Sequence, residues 1–456
     1  MNDKEYIKIK ETGRKIFTSH EHKDKIKKIL EEEWFNIRNF SHQTYDDIKE
    51  WQLKRISYIV DYAYQNIPLY RKKYDQIGYK IGDIKTWEDY EKLPILTKDE
   101  LINGFPNEIV KDIKDFELST RSSGSSGKFV TLAVSQDAIY RDTIQGFRQY
   151  YVQSNNKYNE NEYVLFIYTC PWWIEDLDDI FRSKFLPTTT KVEDALKYIK
   201  IIRPSIISTY PTYLEKFTSL GVKLDKYGVK TVIVHSEQSN KVQRDLLSKK
   251  LGVEVVDEYS SEELTRIALE CPYHTYHIEE DSCYVETINP KTMKKCDFGE
   301  EGIIVGTNLL NLSTPIIRYW QGDFAIIDKP VKCKCCNNSR TISEIKGRYM
   351  DSVVTSDGEI IPASAFMDIA YNWFLNYDIP IHGLRYQFIQ NNVNELNLYL
   401  IKKNYNIDIN KIRNSIYLLI PKTMALNIFF VNEFPSINGN KYRPVISHCM
   451  EDKNGK

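Results

Sequence analysis

The chain has 456 residues, room for a large domain plus a smaller one, and its 42% hydrophobic and 13% aromatic content exclude a disordered protein. Its 62 Lys plus Arg nearly balance 63 Asp plus Glu, leaving a net charge of -1 that argues against a main role on nucleic acid or an anionic membrane surface. No apolar run approaches the roughly 18–20 residues of a membrane span, the charged start MNDKEYIKIKETGRK has no secretory h-region, and a cytoplasmic protein without a disulfide framework is the expectation.

The first hundred residues read as helices, with apolar residues at helical spacing over Lys23–Phe40 and Trp51–Tyr64. Thr97 caps a further helix, with Glu100 at the capping-box spacing. From Tyr163 onward, strands at Tyr163–Tyr168, Ile206–Thr209, Thr231–His235 and Val253–Asp257 alternate with helices at Val192–Ile202, Thr212–Leu220 and Asn240–Leu251. That alternation predicts an α/β layered fold with parallel strands. Past Cys271 the texture turns β-rich, with strands expected at Ser282–Asn289, Gly302–Thr307 and Phe324–Asp328. Mixed strand and helix follow Gly347-Arg348. A domain boundary near Tyr349–Asp351 is expected, giving a domain of residues 1–348, β-rich over about 271–340, and one of 349–456.

The run Ser122-Ser123-Gly124-Ser125-Ser126-Gly127-Lys128 has two glycines that permit tight turning and four hydroxyl donors. A loop of that kind wraps phosphate oxygens. It contains neither G-x-x-x-x-G-K-[ST] nor G-x-G-x-x-G, and alone it would read as a linker. Downstream stands DEYSSEELTRIALEC (Asp257–Cys271), where Tyr259 can stack on a purine beside carboxylates suited to Mg²⁺. Asp323 follows Gly322 and can accept from ribose hydroxyls. Arg348 and Asp351 lie in IKGRYMD, and Lys441 sits in a Gly/Asn-rich turn near the end.

In that order the motifs resemble the adenylate-forming superfamily, and most closely its phenylacetate–CoA ligase branch with the capsule-biosynthesis relatives. The likeness runs from about Ile67 to Ile446; Ile67-Pro68-Leu69-Tyr70-Arg71, Leu93-Pro94-Ile95-Leu96-Thr97-Lys98 and Tyr210-Pro211-Thr212-Tyr213-Leu214 point to that branch. The resemblance implies a large N-terminal domain of layered sheets and helices with a small mobile C-terminal α+β lid. It implies that Ser122 to Lys128 grip the β- and γ-phosphates of ATP and that Ser236-Glu237-Gln238 form the adenine-side turn. Tyr259 would stack on adenine, Asp323 bind ribose, and Arg348 reach the ribose or phosphate. Glu263 would hold Mg²⁺, with Glu262 adjacent, and Lys441 would stabilise the transition state. The hinge would lie at Met350 or Asp351. Phe129 stands where the family usually has proline, Ser260 where it has glycine, and Met350 where it has Asp or Lys. The acyl pocket is expected between Tyr168–Trp173 and Ser236–Tyr259, with Trp172 and Trp173 as candidate lining.

Cys333-x-Cys335 supplies two soft ligands on one turn, and Cys271 and His277 stand six apart. The four suit a closed structural Zn²⁺, with His274, Cys283 and Cys336 as competitors; some relatives in this branch have similar positions.

The implied activity is carboxylate activation to an acyl-adenylate with release of pyrophosphate, then thioester formation on coenzyme A or the phosphopantetheine of a carrier protein. Adenylyl transfer to another acceptor shares every ATP contact and stays open, as does a non-catalytic, zinc-stapled assembly protein. The partners implied are a small carboxylic acid and the thiol carrier, without nucleic acid; a homodimer is compatible.

Overall fold

The computed structural model describes residues 19–111, 118–121, 129–169, 176–376, 379–402, 407–435 and 442–450. Helices α1 (His20–Asn39), α2 (Tyr45–Asn66), α3 (Pro68–Asp75), α4 (Trp87–Glu91) and α5 (Lys98–Gly104) come first. The capping box of α5 forms as its sequence suggests: the Thr97 hydroxyl accepts from the Glu100 N–H, and the Glu100 carboxylate accepts from the Thr97 N–H at 2.8 Å. These reciprocal bonds satisfy two N–H groups that a helix start leaves unpaired. Strands β1 (Leu118–Arg121) and β2 (Thr131–Val134) pair antiparallel, with Arg121 opposite Thr131, and α6 (Gln136–Gln153) follows.

Next come β3 (Val164–Tyr168), β4 (Ser183–Pro187), α7 (Val192–Ile202), β5 (Ile206–Thr209), α8 (Pro211–Phe217), β6 (Thr231–His235), α9 (Lys241–Leu251) and β7 (Glu254–Ser261). The five strands are parallel, in the order β7-β6-β5-β3-β4. One face buries Ile206, Ile233 and Val256 against Ile144 and Phe147 of α6. The other buries Leu165, Val232 and Val255 against Ile199, Leu214 and Leu247 of the intervening helices. Covered on both faces, β3, β5, β6 and β7 read as near-continuous apolar runs, which is why they were legible, whereas the half-buried edge strand β4 (Ser183–Pro187) has no such run and was not predicted.

The β-rich stretch after Cys271 joins the parallel strands in one sheet. Strands β8 (Thr265–Glu270), β9 (Tyr276–Ile278), β10 (Cys283–Ile288), β11 (Glu301–Asn308), β12 (Tyr319–Asp328) and β13 (Thr341–Arg348) are antiparallel and continue the same sheet. The result is one eleven-stranded sheet, β10-β11-β12-β13-β9-β8-β7-β6-β5-β3-β4. A single turn of 3₁₀ helix, Tyr349–Asp351, leads out of β13.

Beyond it lie β14 (Val353–Val354), β15 (Ile360–Ile361), α10 (Ala363–Asn376), β16 (Leu384–Asn392), β17 (Glu395–Lys402), α11 (Ile409–Ile416), β18 (Ala425–Phe430) and β19 (Val445–Ser447). Here the four-stranded sheet runs β18-β17-β16-β19. Polar contacts join this unit to the rest: Tyr371 Oη donates to Glu215 at 3.0 Å, Asn240 Nδ2 to Asp368 at 2.7 Å, and Thr218 Oγ1 lies 3.0 Å from His382 Nδ1.

Buried carboxylates stitch the antiparallel half together. Arg340 grips Glu280 through two 2.9 Å bonds, with side chains 5% and 0% exposed. Arg148 grips Glu279 and Asp281, Arg318 grips Glu286, and Arg244 grips Glu270. Two-point arginine–carboxylate pairing adds direction as well as energy. Removing one partner leaves a buried charge unpaired, so Glu280→Ala is expected to lower unfolding free energy by about 3–5 kcal/mol, read from the denaturant midpoint. The exposed Glu50–Lys54 pair is the control: Glu50→Ala should stay within about 0.5 kcal/mol of the parent.

Candidate active site

In an open α/β sheet, ligands bind beyond the carboxyl ends of the parallel strands. A cleft of about 880 Å³ lies there, lined by Tyr168 at the end of β3, His235 at the end of β6, and Glu258 to Ser261 of β7. Two further features bring outlying residues to it. Leu96 bridges to Tyr319, its N–H donating to Arg318 O at 2.8 Å and its carbonyl accepting from Trp320 N at 2.9 Å. That bridge sets Thr97 and Lys98, at the start of α5, on the rim. The pairing of β12 with β13 places Arg348 opposite Asp323.

Tyr259 and Asp323, 64 positions apart, meet directly: Tyr259 Oη donates to Asp323 Oδ2 at 2.6 Å. Burial pushes the Asp323 carboxyl above its ordinary range, against the opposing pull of Arg348 and the Tyr259 hydroxyl. Burial raises Glu263 as well, helped by the adjacent Glu262 charge and resisted by Lys98 and Arg348. Tyr319 Oη donates to Glu263 at 3.2 Å, and Asn308 Nδ2 to the Glu263 carbonyl at 3.0 Å. Glu262 instead accepts from the Thr120 hydroxyl. Both glutamates line the cleft, and Glu263 is the buried one.

Ser236, Glu237 and Gln238 form the turn after β6 and line the cleft together. Ser236 takes a left-handed φ of 67°, uncommon for a residue with a Cβ, and its hydroxyl lies 2.9 Å from His235 Nδ1 and 3.1 Å from Tyr168 Oη. The Glu237 carboxylate accepts from Thr212 N at 3.2 Å and Thr212 Oγ1 at 2.7 Å, so it serves the start of α8. Gln238 packs on Gly347, where a Cβ would meet its amide at 2.7 Å. Glycine at 347, with φ 85°, is therefore required for this close approach.

Met350 and Asp351 occupy the 3₁₀ turn between the two sheets and reach the cleft edge. Asp351 is ion-paired with Arg443, and Tyr442 and Arg443 also line the cleft. Lys441, Ser122 to Lys128, Trp172 and Trp173 lie outside the described residues. The residues flanking the Ser/Gly run belong to the paired β1 and β2 or follow directly, and Thr120, Leu132 and Val134 line the cleft. Tyr168, Ser236 and Tyr259 do the same, where the acyl pocket was expected.

The sequence reading missed several cleft residues. Lys98 stood inside a motif singled out for other reasons. Asp142 and Gln149 lie seven apart on α6, hence on one side of the helix, and both line the cleft with Glu258 and Arg266. Their signal was a polar pair interrupting the helix's apolar stripe.

Away from the cleft, the ligand atoms of Cys271, His277, Cys333 and Cys335 all lie within 4.8 Å of one another. Cys271 Sγ is 3.7 Å from Cys333 Sγ, close to the edge of roughly 3.8 Å that tetrahedral Zn–S bonds of 2.3 Å require. Cys335 Sγ is 3.1 Å from His277 Nε2. The competitors point elsewhere: His274 Nδ1 lies 3.1 Å from Glu270, Cys283 donates to the Arg266 carbonyl, and Cys336 is exposed.

No family model matches the chain. It is 25% identical over 332 residues to the phenylacetate-coenzyme A ligase of Aromatoleum evansii, spanning 70% of this chain and 74% of that one. To the enzyme of the same name from Thermus thermophilus it is 22% identical over 329 residues, with 70% and 74% covered. Its fold matches 2-hydroxyisobutyryl-CoA ligase in the postadenylation state with a TM-score of 0.71, 16% identity and 91% of each chain. In the thioesterification state of that ligase the TM-score is 0.60 at 16% identity, over 89% of this chain and 90% of the other. Sequence relatives over 70% of its length and a shared fold together make the chain similar to the adenylate-forming enzymes.

Proposed function

We propose that the chain activates a carboxylic acid with ATP and passes the acyl group to a thiol. The observation that carries this reading is the convergence of Tyr259, Asp323, Glu263 and Arg348 with Tyr442–Arg443, which directly follow Lys441, on one cleft. A carboxylate oxygen attacks the α-phosphorus of ATP, and pyrophosphate leaves. The thiol of coenzyme A, or of a carrier protein, then attacks the acyl carbon and AMP departs. The coenzyme A ligase relatives support coenzyme A as the acceptor.

Tyr259 stacks on the adenine, and its hydroxyl, bonded to Asp323, holds that carboxylate ready for the ribose hydroxyls. Ser236 to Gln238 wall the base. Arg348 favours the ionised form of Asp323 against its burial and reaches the ribose or phosphate. Two adjacent carboxylates, Glu262 and Glu263, give the hard oxygen donors that Mg²⁺ prefers, with Glu263 held by Tyr319. When bound there, Mg²⁺ would neutralise phosphate charge. The Ser122–Lys128 loop grips the departing phosphates. Lys441 places positive charge where the pentacoordinate phosphorus gathers negative charge.

The second step needs Lys441 withdrawn, through rotation of the C-terminal lid about Tyr349–Asp351. The higher similarity to the postadenylation form than to the thioesterification form supports reading the present arrangement as the adenylation-side one. Four converging ligand atoms of Cys and His support a closed structural Zn²⁺ that ties β9 to the β12–β13 connection.

Acid-dependent exchange of pyrophosphate into ATP tests the activity; no exchange with any acid would overturn it. Lys441→Ala should lower exchange roughly 10²–10³-fold, the cost of removing one transition-state donor, and unchanged exchange would refute the lysine's role. Arg348→Gln removes a cation that favours ionised Asp323, so the acid limb of the nucleotide-binding pH profile should move to higher pH. Elemental analysis should find a single zinc per chain, and Cys271→Ser should lose it together with thermal stability.

A further inference from the structure

The part of the cleft beyond Tyr259 has walls of unexpected chemistry for a pocket that takes an aryl ring. Polar side chains enter it from both sides: Asp142 and Gln149 from α6, and Ser208, His235, Glu258 and Ser260 from the ends of the strands. Phe166 and Ile233, with Ala138, Ile139 and Tyr150 of α6, add apolar surface. Glu258 is central. It shares β7 with Tyr259 but points to the opposite face, so the cleft wraps around the strand end, the nucleotide residues on one side and Glu258 on the other. Gln149 Nε2 donates to its Oε2 at 2.7 Å, yet the side chain keeps accessible surface, and that surface lines the cleft.

The local charges are already arranged around this carboxylate. Arg266 crosses α6 at Gly146, where a Cβ would meet its Nη2 at 2.8 Å. It forms an ion pair with Asp142, and its Nε donates to Gln149 at 2.8 Å. Burial pushes the Glu258 carboxyl up, but Arg266, His235, Gln149 and Ser260 together outweigh that and leave it below its ordinary range. The wall therefore presents an ionised acceptor. A site that hydrogen-bonds a substrate N–H or O–H rejects the analogue lacking it by roughly 10⁴-fold, because its own polar groups are left unpaired.

We propose that the acid activated here carries a hydrogen-bond-donating group, an ammonium or hydroxyl, that Glu258 receives, and that an arylacetic acid is a poor substrate. This rests on the ligase reading above and names its substrate class.

Pyrophosphate exchange by the full chain, with amino acids, hydroxy acids and phenylacetate offered separately, tests it. The expected result is exchange with an amino or hydroxy acid, with kcat/KM for phenylacetate at least about 10²-fold lower. For the accepted acid, Glu258→Gln should raise KM about tenfold or more while KM for ATP changes little, with a larger loss for an ammonium than for a hydroxyl. Phenylacetate, or any acid without a donor group, as the best substrate overturns the proposal and leaves the ligase reading standing. So does an unchanged KM for the acid in Glu258→Gln. Exchange with no acid at all removes both. Should the variant fail to fold, the wild-type ranking of acids decides alone.

Discussion

Strand β7 is the constraint on which the cleft depends. It pairs parallel with β6 on one edge and antiparallel with β8 on the other, so the sheet changes character there. A register shift between Tyr259 and Ser260 marks that edge, as bulges often do beside functional sites. Because successive side chains alternate faces, Glu258 and Tyr259 look into opposite sides of the sheet from adjacent positions. The proposed acid and nucleotide compartments are thus fixed to one another by a single peptide unit. A slip of one residue in the pairing of β7 would exchange the two faces and destroy both compartments.

Register of that stringency needs rigid neighbours, and the buried arginines supply them. Glu279, Glu280, Asp281 and Glu286 are buried, and each is held by an arginine far away in sequence. Arg148 comes from α6, Arg340 from just before β13, and Arg318 from just before β12. An apolar core would tolerate small sliding between layers, whereas a two-point arginine pair has one geometry. Gln52 Nε2, from α2, adds a bond to Glu280 at 2.7 Å and ties the N-terminal helices to the same network. The cleft residues of α6 therefore share a helix with Arg148, which is anchored to the sheet through Asp281, and Arg266 of β8 bonds the same helix at Asp142.

Periodicity revealed the parallel strands and their helices because each apolar run there is short, continuous and bounded by turns. Ile206–Thr209 and Thr231–His235 have the expected limits. Thr97 with Glu100 carried its own local signature. Tyr259 with Asp323, and the Cys and His quartet, were legible as residue types, though nothing in spacing could show that they touch. The acidic run Glu279-Glu280-Asp281 carries no local sign of being interior, since its arginine partners lie up to 133 positions away. Glu258 was hidden for the same reason: one more acid beside a tyrosine motif, its meaning set by Gln149 and Arg266 across the cleft. The β-rich texture past Cys271 was legible, but nothing local showed that its strands extend the parallel sheet, because that joining is made by the pairing of β7 with β8 and the distant pairing of β9 with β13.

The place of the proposed lid rotation follows from which backbone is pinned. Arg348 is still paired with Asp323 in the large sheet. Val354 is held inside the C-terminal unit, its N–H donating to Gln390 Oε1 at 2.9 Å and its carbonyl accepting from Gln390 Nε2 at 2.6 Å. Ser447 of β19 donates to the same Gln390 at 2.9 Å, so this side chain binds the start of the unit to its last strand. The backbone left between these two anchored points, where the proposed lid rotation would act, is residues 349–353. Within that span Asp351 is tied to Arg443, two residues past Lys441. A pivot after Asp351 would have to break that pair, while a pivot at Tyr349 or Met350 preserves it and carries Asp351 along with the lysine segment. A single partly exposed pair is worth little by itself, yet it makes the earlier pivot the less costly one. In the proposed rotation Met350 then stands where the chain would bend without breaking a charge contact.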